Sequence, residues 1–220
     1  MKGVFITFEG GEGSGKSSQI RLLSEYLKRT GFDNITTREP GGTDIGKELR
    51  KMLLIGDTEK FDAVSETLLF YTDRRLHLTN KIWPAMARGK WVISDRFADS
   101  TIAYQYYGHG KRISMEDLES MYRIVAGDFK PDLTIILDIA PEVGLKRSYA
   151  KADTMVDKET RFESIGLEFH NNIRNGYLQI AKNNPERCVV LDADKTIEEL
   201  HKDIIRVVEE RFVGKQLDLF

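Results

Sequence analysis

The sequence is poor in cysteine and has no long apolar run. Its 220 residues include one cysteine, Cys188, which excludes an intramolecular disulfide and makes a thiolate metal site unexpected. The first apolar run, residues 4–8, stops at Glu9 and is too short for a signal peptide. No run approaches the roughly 20 residues that cross a bilayer. We therefore expect a cytoplasmic protein without a membrane partner.

The sequence also has no excess of charge of either sign. The chain has 33 basic and 35 acidic residues, a net charge of -2, so no overall field would hold a nucleic-acid polymer, and anion sites must be local. With 40% hydrophobic and 31% charged residues, a disordered or fibrous chain is excluded. No Pro/Gly/Ser-rich linker divides the sequence, which predicts one domain over residues 1–220.

Short apolar, β-branched segments alternate with helical patterns along the chain. The predicted strands are residues 4–8, 34–37, 91–94, 133–137 and 188–191. Nearly continuous apolar strands are typical of parallel sheets covered on both faces. The segments between them, such as residues 17–29, repeat their apolar residues every three or four positions. A further helix is predicted over 114–125, opened by Ser114 three residues before Asp117. The alternation predicts an α/β fold, a three-layer, doubly wound parallel five-stranded sheet.

One stretch interrupts this alternation. Between residues 148 and 160 the apolar periodicity lapses among charged and small residues, and a further helix is expected to begin at Phe162. We expect a mobile loop here.

A phosphate-binding loop follows the first predicted strand. Residues 10–17 match G-x-x-x-x-G-K-[ST] in full, between a strand and a helix, as this motif requires. The glycines let backbone N–H groups surround phosphate oxygens, and the helix N-terminus attracts the anion. Lys16 is expected to reach the β and γ phosphates, and Ser17 to offer its hydroxyl to Mg²⁺. We predict that ATP or another nucleoside triphosphate contacts Gly10, Gly11, Glu12, Gly13, Ser14, Gly15, Lys16, Ser17 and Ser18.

A carboxylate at the end of another strand usually completes such a site. Asp95 ends the third predicted strand, so it could join Ser17 as a magnesium ligand or simply cap the next segment. The adjacent Arg96 favours the first interpretation, because an acid and an arginine at this sheet edge suit metal and phosphate. Asp138, after the fourth strand, is the rival carboxylate, which we interpret as structural.

Two further segments could line a pocket for a second substrate. Arg38 and Pro40 lie in a rigid turn after the second strand, and Arg50 lies on the helix that follows. Phe70 and Arg74 stand four residues apart in a helical run, so they share a face and could contact one flat ligand.

Alternatives exist for these side chains when each is taken alone. Phe70 could be a core aromatic, and Arg74 could lie on a solvated face. Gln105 follows the Asp95-Arg96 pair in a segment of helical spacing. It could pair with the edge of a base or be an ordinary surface glutamine.

Four motifs in this order resemble bacterial thymidylate kinase. They are Phe-Glu-Gly-x-Glu-Gly-x-Gly-Lys-Ser at 8–17, Arg-Glu-Pro-Gly-Gly-Thr at 38–43, Phe-Tyr-x-x-Arg at 70–74 and Asp-Arg-Phe-x-x-Ser-x-x-Ala-Tyr-Gln at 95–105. The resemblance implies a P-loop nucleoside monophosphate kinase fold and transfer of the γ-phosphoryl group of ATP to dTMP, giving dTDP and ADP, with Mg²⁺. It also implies a homodimer, which the apolar content of 64–88 and 114–126 permits.

The resemblance also implies roles at the base of dTMP. Phe70 corresponds to a ring that stacks on thymine, and Arg74 and Gln105 correspond to residues that bond its edge. Thr101 corresponds to a hydroxyl residue lining the base pocket.

Four other residues correspond to contacts with the sugar and phosphate. Glu12 matches an acid near the 3′-hydroxyl, and Tyr104 a tyrosine beside the deoxyribose that would disfavour ribose. Arg96 matches the arginine at the transferred phosphate, and Arg50 an arginine at the monophosphate.

Members of this family differ in where their catalytic arginine lies. No basic residue precedes Lys16 in the loop, so the chain is similar to members that supply arginines from a lid, here placed at residues 148–160. An arginine in this role can be worth roughly 10³–10⁵ in rate. Arg147 is the preferred donor and Arg161 the second, with a solvated loop as the alternative. Lys146 and Lys151 are further candidates.

Two rival functions remain open. The first is a kinase of the same fold with another acceptor, such as thymidine. The second is a regulatory P-loop protein, although the Asn-Lys-x-Asp element of guanine-binding switches is missing. A serine-histidine-acid catalytic set is not suggested, because we expect most of the four histidines, His77, His109, His170 and His201, to be solvated.

Overall fold

Five parallel strands form one sheet, in a computed structural model that describes residues 3–152 and 161–213. The strand order is β2-β3-β1-β4-β5. The strands are β1 (Phe5–Glu9), β2 (Asn34–Arg38), β3 (Trp91–Asp95), β4 (Leu133–Asp138) and β5 (Cys188–Asp192). The predicted strands are confirmed, with bounds within about a residue of those expected from the sequence.

Helices connect and cover the strands. They are α1 (Lys16–Arg29), α2 (Asp44–Leu54), α3 (Ala63–His77), α4 (Trp83–Ala87), α5 (Ala98–Thr101), α6 (Met115–Ala126), α7 (Pro141–Ala152), α8 (Leu167–Asn183) and α9 (Ile197–Val208). A π-helical turn, Leu78–Ile82, joins α3 to α4, and others extend α5 through Ile102–Gly108 and α9 through Glu209–Val213.

The alternation of side chains along β1 produces the three layers. Ile6 and Phe8 pack with Leu23 of α1 and Ile204 of α9 in one buried cluster. Phe5 belongs to a separate cluster with residues of the α3–α4 region. Because successive strand residues point to opposite faces, helices on both sides bury the sheet. The predicted three-layer α/β architecture is confirmed.

The outer strands are less buried than their apolar sequences predict. The side chains of β1 are all buried, whereas β5 alternates between buried, half-buried and exposed, and Val190 is 39% exposed. These strands are more exposed because β2 and β5 form the two edges of the sheet, where each has a neighbouring strand on one side only. A strand's own composition does not reveal whether it lies in the centre or at an edge.

Local signals in the sequence set several helix starts. The side chain of Ser114 accepts a hydrogen bond from the backbone N–H of Asp117 at 3.0 Å, which begins α6 as predicted. Thr196 and Glu199 form a reciprocal capping box at the start of α9. These caps satisfy backbone donors that would otherwise lack a partner.

The predicted irregular segment differs from the structure at both of its ends. Residues 148–152 continue helix α7, so the loop does not begin at Ser148. The rest of the predicted lid, 153–160, lies outside the described residues. The helix expected from Phe162 starts later, at Leu167, after a 3₁₀ turn at Glu163–Ile165.

The carboxyl ends of the three strands β1, β2 and β3 meet at one edge. In the sheet register, Phe8 lies beside Asp95, and Asp95 beside Arg38. Open α/β sheets bind ligands at this edge, next to the point where the strand order reverses. Over the described ranges, no helix is both long and apolar enough to cross a membrane.

Candidate active site

A cleft of about 400 Å³ opens at this edge of the sheet. Most residues predicted from the sequence line it: Glu12, Gly13, Ser14, Gly15, Lys16, Ser17, Ser18, Arg38, Pro40, Arg50, Phe70, Arg74, Asp95, Arg96, Thr101, Tyr104, Gln105 and Arg147. Gly10 and Gly11 lie behind this surface, where their carbonyl groups bind Lys16. Arg161 lies elsewhere.

The loop between β1 and α1 requires glycine at position 13. Its φ is +65°, and a Cβ there would lie 2.0 Å from the carbonyl oxygen of Gly144 on α7. Glycine therefore allows both the left-handed backbone and the close approach of the helix. The loop is packed against α7, so its shape depends on that helix.

Lys16 folds over this loop. Its Nζ donates to the carbonyl oxygens of Gly10 at 3.0 Å and Gly11 at 2.9 Å. Burial, followed by the positive charge of Arg96, lowers the pKa of Lys16 to about 8. A phosphate beside Lys16 would stabilise the charged amine.

Ser17 and Asp95 form a pair of oxygen donors beside the phosphate loop. The hydroxyl of Ser17 donates to Oδ2 of Asp95 at 3.2 Å. Among the described residues, no group of three or more His, Cys, Asp or Glu could hold a metal. A serine hydroxyl and a carboxylate are oxygen donors of the kind that Mg²⁺ takes, usually one or two from the protein together with phosphates and waters. The rival carboxylate, Asp138, is bound by Arg174 at 2.7 and 2.8 Å.

Arg96 occupies the centre of the site in a left-handed backbone conformation, with φ +69°. Its Nη2 donates to Glu12 at 2.8 Å. Its Nη1 donates to the carbonyl of Gly10 at 3.1 Å, to Ser100 at 3.2 Å and to the hydroxyl of Tyr177 at 3.0 Å. A non-glycine residue in this conformation is uncommon and often marks a functional site. The guanidinium is fixed before any ligand arrives.

Glu12 and Tyr104 complete this cluster. The hydroxyl of Tyr104 donates to Glu12, and the guanidinium of Arg96 lies 4.9 Å from the centre of the Tyr104 ring. Burial would raise the pKa of Glu12, but Arg96, Lys16 and the hydrogen bond from Tyr104 outweigh it and lower the pKa to about 2. Glu12 is therefore an ionised acceptor at neutral pH.

Arg74 lies at the far end of the cleft with one nitrogen unused. Its Nε donates to Glu39 at 2.9 Å, and its Nη2 donates to Thr101 at 2.8 Å and to the carbonyl of Phe97 at 3.1 Å. Nη1 is buried, and no hydrogen-bond acceptor in the described ranges reaches it. The carboxylate of Glu39 orients the arginine, and Nη1 is the guanidinium nitrogen that these hydrogen bonds leave over.

Gln105 is fully buried and lines the same cleft as Arg74, so the surface interpretation is wrong. Within the described part of the chain, neither its Oε1 nor its Nε2 has a hydrogen-bond partner. An unpaired buried amide costs roughly 1–3 kcal/mol, which a ligand with a complementary edge would relieve. Phe70 is half-buried and lines the same cleft.

The turn after β2 forms another wall. Nη1 of Arg50 donates to the carbonyl of Pro40 at 2.9 Å, and Arg38 is exposed at the cleft. Two guanidinium groups thus approach the cleft from this side.

The two preferred lid arginines lie in different places. Arg147 lines the cleft, is half-exposed, and donates to Asp194 at 3.1 Å and to the carbonyl of Ala193 at 3.3 Å. Arg161 is 2% exposed and is not among the residues lining the cleft. The side chain of Lys151 lies outside the described residues.

Several residues at the site are not predicted from the sequence. Glu9, buried under Arg96, accepts hydrogen bonds from Ser100, from Tyr177 and from the backbone of Phe97. Its place in the first motif could have indicated it, whereas nothing local distinguishes Tyr177 from other core aromatics.

Glu163 also lines the cleft, and burial and the negative charge of Glu12 raise its pKa to about 7. It lies just beyond the predicted lid, two residues after Arg161.

The expectation of solvated histidines is wrong. His77 is fully buried, with Nδ1 2.9 Å from Glu39 and Nε2 2.6 Å from Thr37. His170 is buried as well, and the side chain of His109 is 17% exposed. Helical spacing places a histidine on a helix but does not reveal which face is covered.

A phosphate-binding loop on a five-stranded parallel sheet, with a cleft at the carboxyl ends of the strands, is typical of ATP-dependent nucleoside monophosphate kinases of the P-loop class. Comparison with known proteins is more specific. The sequence model of thymidylate kinase matches residues 8–204. The chain belongs to the thymidylate kinase family.

Individual relatives agree with this assignment. The chain is 46% identical over 213 residues to the thymidylate kinase of Maridesulfovibrio salexigens, covering 96% of this chain and 97% of the relative. It is 46% identical over 210 residues to that of Caulobacter vibrioides, covering 96% and 98%. A crystal structure of thymidylate kinase from Ehrlichia chaffeensis superposes with a TM-score of 0.76 at 36% identity, covering 95% of this chain and 99% of that one.

Proposed function

We propose that this chain transfers the γ-phosphoryl group of ATP to dTMP in the cleft described above, giving dTDP and ADP. The triphosphate lies on the loop of residues 10–18, and the acceptor lies between Arg96 and Gln105. The reaction is that of its family, and the residue roles are our assignment.

The unpaired polar atoms of Arg74 and Gln105 are the observation that carries the proposal. The arginine side chain only donates hydrogen bonds, whereas the glutamine amide both donates through Nε2 and accepts through Oε1. Thymine presents a carbonyl oxygen where cytosine presents an amino group. Nη1 of Arg74 therefore favours thymine and opposes cytosine, while Gln105 pairs with the neighbouring donor and acceptor of the base. Phe70 supplies a ring for stacking, and Thr101 holds Arg74 in place.

The sugar and phosphate of the acceptor lie beside the Arg96 cluster. Glu12, ionised and fixed by Arg96, accepts from the 3′-hydroxyl, and Tyr104 occupies space that a ribose hydroxyl would need. Arg50, with Arg38 and Pro40 in the adjacent turn, binds the monophosphate. Such interactions hold the acceptor oxygen in line with the γ-phosphate.

Phosphoryl transfer here needs charge neutralisation more than proton abstraction. The attacking oxygen of dTMP is already anionic, so no strong general base is required. Lys16 and Arg96 lie beside the reacting phosphates and stabilise the developing charge. Arg147 is the best candidate for the additional positive charge, because it lines the cleft and its half-exposed ion pair with Asp194 is weak.

Ser17 and Asp95 would hold Mg²⁺, and the metal would neutralise and orient the phosphates of ATP. Serine and carboxylate oxygens suit this hard cation. A cytoplasmic location remains a prediction from the sequence.

Assembly as a homodimer is also part of the proposal. Val64 and Leu68 on α3 and Ile124 on α6 are 47%, 51% and 82% exposed. Helices α3 and α6 pack against each other, so these apolar side chains belong to neighbouring elements. A second copy of the chain would cover them.

An acceptor panel tests the function. ADP release is measured with ATP and Mg²⁺ and, in turn, dTMP, dUMP, dCMP, dGMP and thymidine, with Lys16→Ala as the blank. We expect turnover with dTMP far above that with dCMP, dGMP or thymidine. Preferred turnover with one of those three would overturn the acceptor assignment, and nucleotide binding without any acceptor turnover would favour a regulatory protein.

A further inference from the structure

Arg161 is buried against the connection between α2 and α3. Its Nε donates to the carbonyl of Asp57 at 2.8 Å, its Nη1 to that of Leu53 at 3.0 Å and its Nη2 to that of Thr58 at 2.9 Å. All three acceptors belong to the end of α2 and the segment that follows it. Each guanidinium nitrogen is therefore engaged by the protein backbone.

A buried carboxylate balances the charge of Arg161. Glu66, on α3, is 1% exposed and forms an ion pair with Nη1 of Arg161. Its other oxygen lies 3.4 Å from Nε2 of His109. Burial would raise the pKa of Glu66, but His109 and Arg161 outweigh it and lower the pKa. Removing one partner of such a buried pair leaves an uncompensated charge.

The neighbours of Arg161 form part of the cleft wall. The backbone N–H of Arg161 donates to the carbonyl of Leu54 at 3.3 Å, and Leu54 lines the cleft. Phe162, the next residue, also lines it, with its ring 6.3 Å from that of Phe70 and 5.4 Å from that of Tyr104. Arg161 thus ties together three elements that shape the base and sugar pocket: the end of α2, helix α3 and the segment carrying Phe162.

We propose that Arg161 is a positioning residue for the acceptor nucleotide. Its hydrogen bonds to the α2–α3 connection and its ion pair with Glu66 form a clamp, and this clamp keeps the rings of Phe70 and Phe162 at their observed separation. It acts through these rings and does not touch the transferred phosphate. The inference rests on the proposed function, since it concerns the binding of dTMP in that reaction.

Replacement by lysine tests the clamp. Arg161→Lys keeps the positive charge, but a single ammonium cannot reproduce three hydrogen bonds from a planar fork to three carbonyls. We expect the KM for dTMP to rise about ten-fold or more, with the KM for ATP and kcat changing less than about three-fold. The control Arg88→Lys, at an exposed arginine, should leave all three constants unchanged.

Two outcomes would overturn the proposal. A fall in kcat of a hundred-fold or more, with both KM values preserved, would make Arg161 a transition-state charge donor. Equal changes in the KM for dTMP and for ATP would reduce it to a general structural role. Arg147→Ala provides the opposite comparison, because loss of a charge donor should lower kcat and preserve the KM for dTMP.

A second variant covers the possibility that Arg161→Lys fails to fold. Glu66→Gln keeps the shape of the counter-ion, and its binding of dTMP and of ATP can be measured separately by calorimetry. Weaker binding of dTMP with unchanged binding of ATP supports the clamp, and unchanged binding of both contradicts it. If the wild-type protein binds ATP but neither binds nor phosphorylates dTMP, the proposed function itself fails, before any variant is compared.

Discussion

At the scale of single residues, the phosphate loop contains a lysine whose charge depends on its ligand. Lys16 is 7% exposed, and its amine donates to two carbonyl groups and to the hydroxyl of Ser14, with no carboxylate of the described residues in an ion pair with it. Burial and the nearby Arg96 lower its pKa to about 8. The free protein therefore begins to lose this charge within the range of mildly alkaline buffers.

The affinity for ATP should consequently fall as the pH rises above 8. Phosphate binding requires the charged amine, so above its pKa each pH unit costs up to about ten-fold in affinity. Calorimetric titration of ATP between pH 7 and 9.5 measures this. Lys16→Arg, which stays charged throughout, should give a flat profile, and an equally flat wild-type profile would contradict the argument.

Phe70 should matter for the acceptor and not for the donor. Stacking of a base on an aromatic ring is worth roughly 1–3 kcal/mol, so Phe70→Ala should raise the KM for dTMP about ten-fold or more and change that for ATP much less. Phe70→Leu separates stacking from packing, because it retains apolar volume without a ring. A normal KM for dTMP in the leucine variant would argue against stacking.

At the scale of elements, the phosphate loop and α7 meet at two glycines. A Cβ on Gly144 would lie 2.3 Å from the carbonyl oxygen of Glu12, and one on Gly13 would meet Gly144. Backbone contacts this short leave no room for any side chain. The helix that carries Arg147 therefore fixes the loop that holds the triphosphate.

Gly144→Ala should disturb ATP binding from outside the cleft. Overpacking of this kind lowers the free energy of unfolding by about 1–3 kcal/mol. For a chain of this size, each kcal/mol lowers Tm by roughly 2–4 °C. We expect the KM for ATP to rise several-fold and that for dTMP to change less. Thermal unfolding and steady-state kinetics check this. Ala150→Ser, at an exposed residue of the same helix, is the control. An unchanged KM for ATP in Gly144→Ala would show that the loop does not depend on α7.

The sequence predicted elements well where the signal is local. Ser114 marks the start of α6, and the motif at residues 10–17 marks the turn between β1 and α1. The extension of α7 through 148–152 was missed, because helical residues with weak apolar periodicity resemble a loop. The partial exposure of the β5 side chains was not predicted, because it follows from the position of β5 at the edge of the sheet, and that position depends on how all five strands pair.

At the scale of the whole molecule, the proposed acceptor pocket combines residues distant in the sequence. Phe70 and Arg74 come from α3, Gln105 from the π-helical turn after α5, and Phe162 from beyond residue 160. Spacing within one helix predicted the Phe70–Arg74 pair. The burial of Gln105 and the placement of Arg161 away from the cleft depend on tertiary packing and could not be predicted from either segment alone.

The exposed apolar side chains of α3 and α6 predict self-association. Leu68→Glu would place a charge in the proposed dimer contact and should convert a dimer to a monomer in sedimentation velocity. Ile197→Glu, at an apolar residue of α9 that is 53% exposed, should leave the dimer intact. A wild-type protein that is monomeric at tens of micromolar, or equal dissociation of both variants, would contradict this assignment.

The central claim is that the cleft moves a phosphoryl group from ATP to dTMP and not to water. The most direct test is to incubate the protein with dTMP, Mg²⁺ and ATP labelled at the γ-phosphate, and to separate the products. Our account predicts one labelled dTDP for each ADP formed, with little inorganic phosphate, and no transfer by Lys16→Ala. Label released as inorganic phosphate, or no dTDP from the wild-type protein, would contradict it.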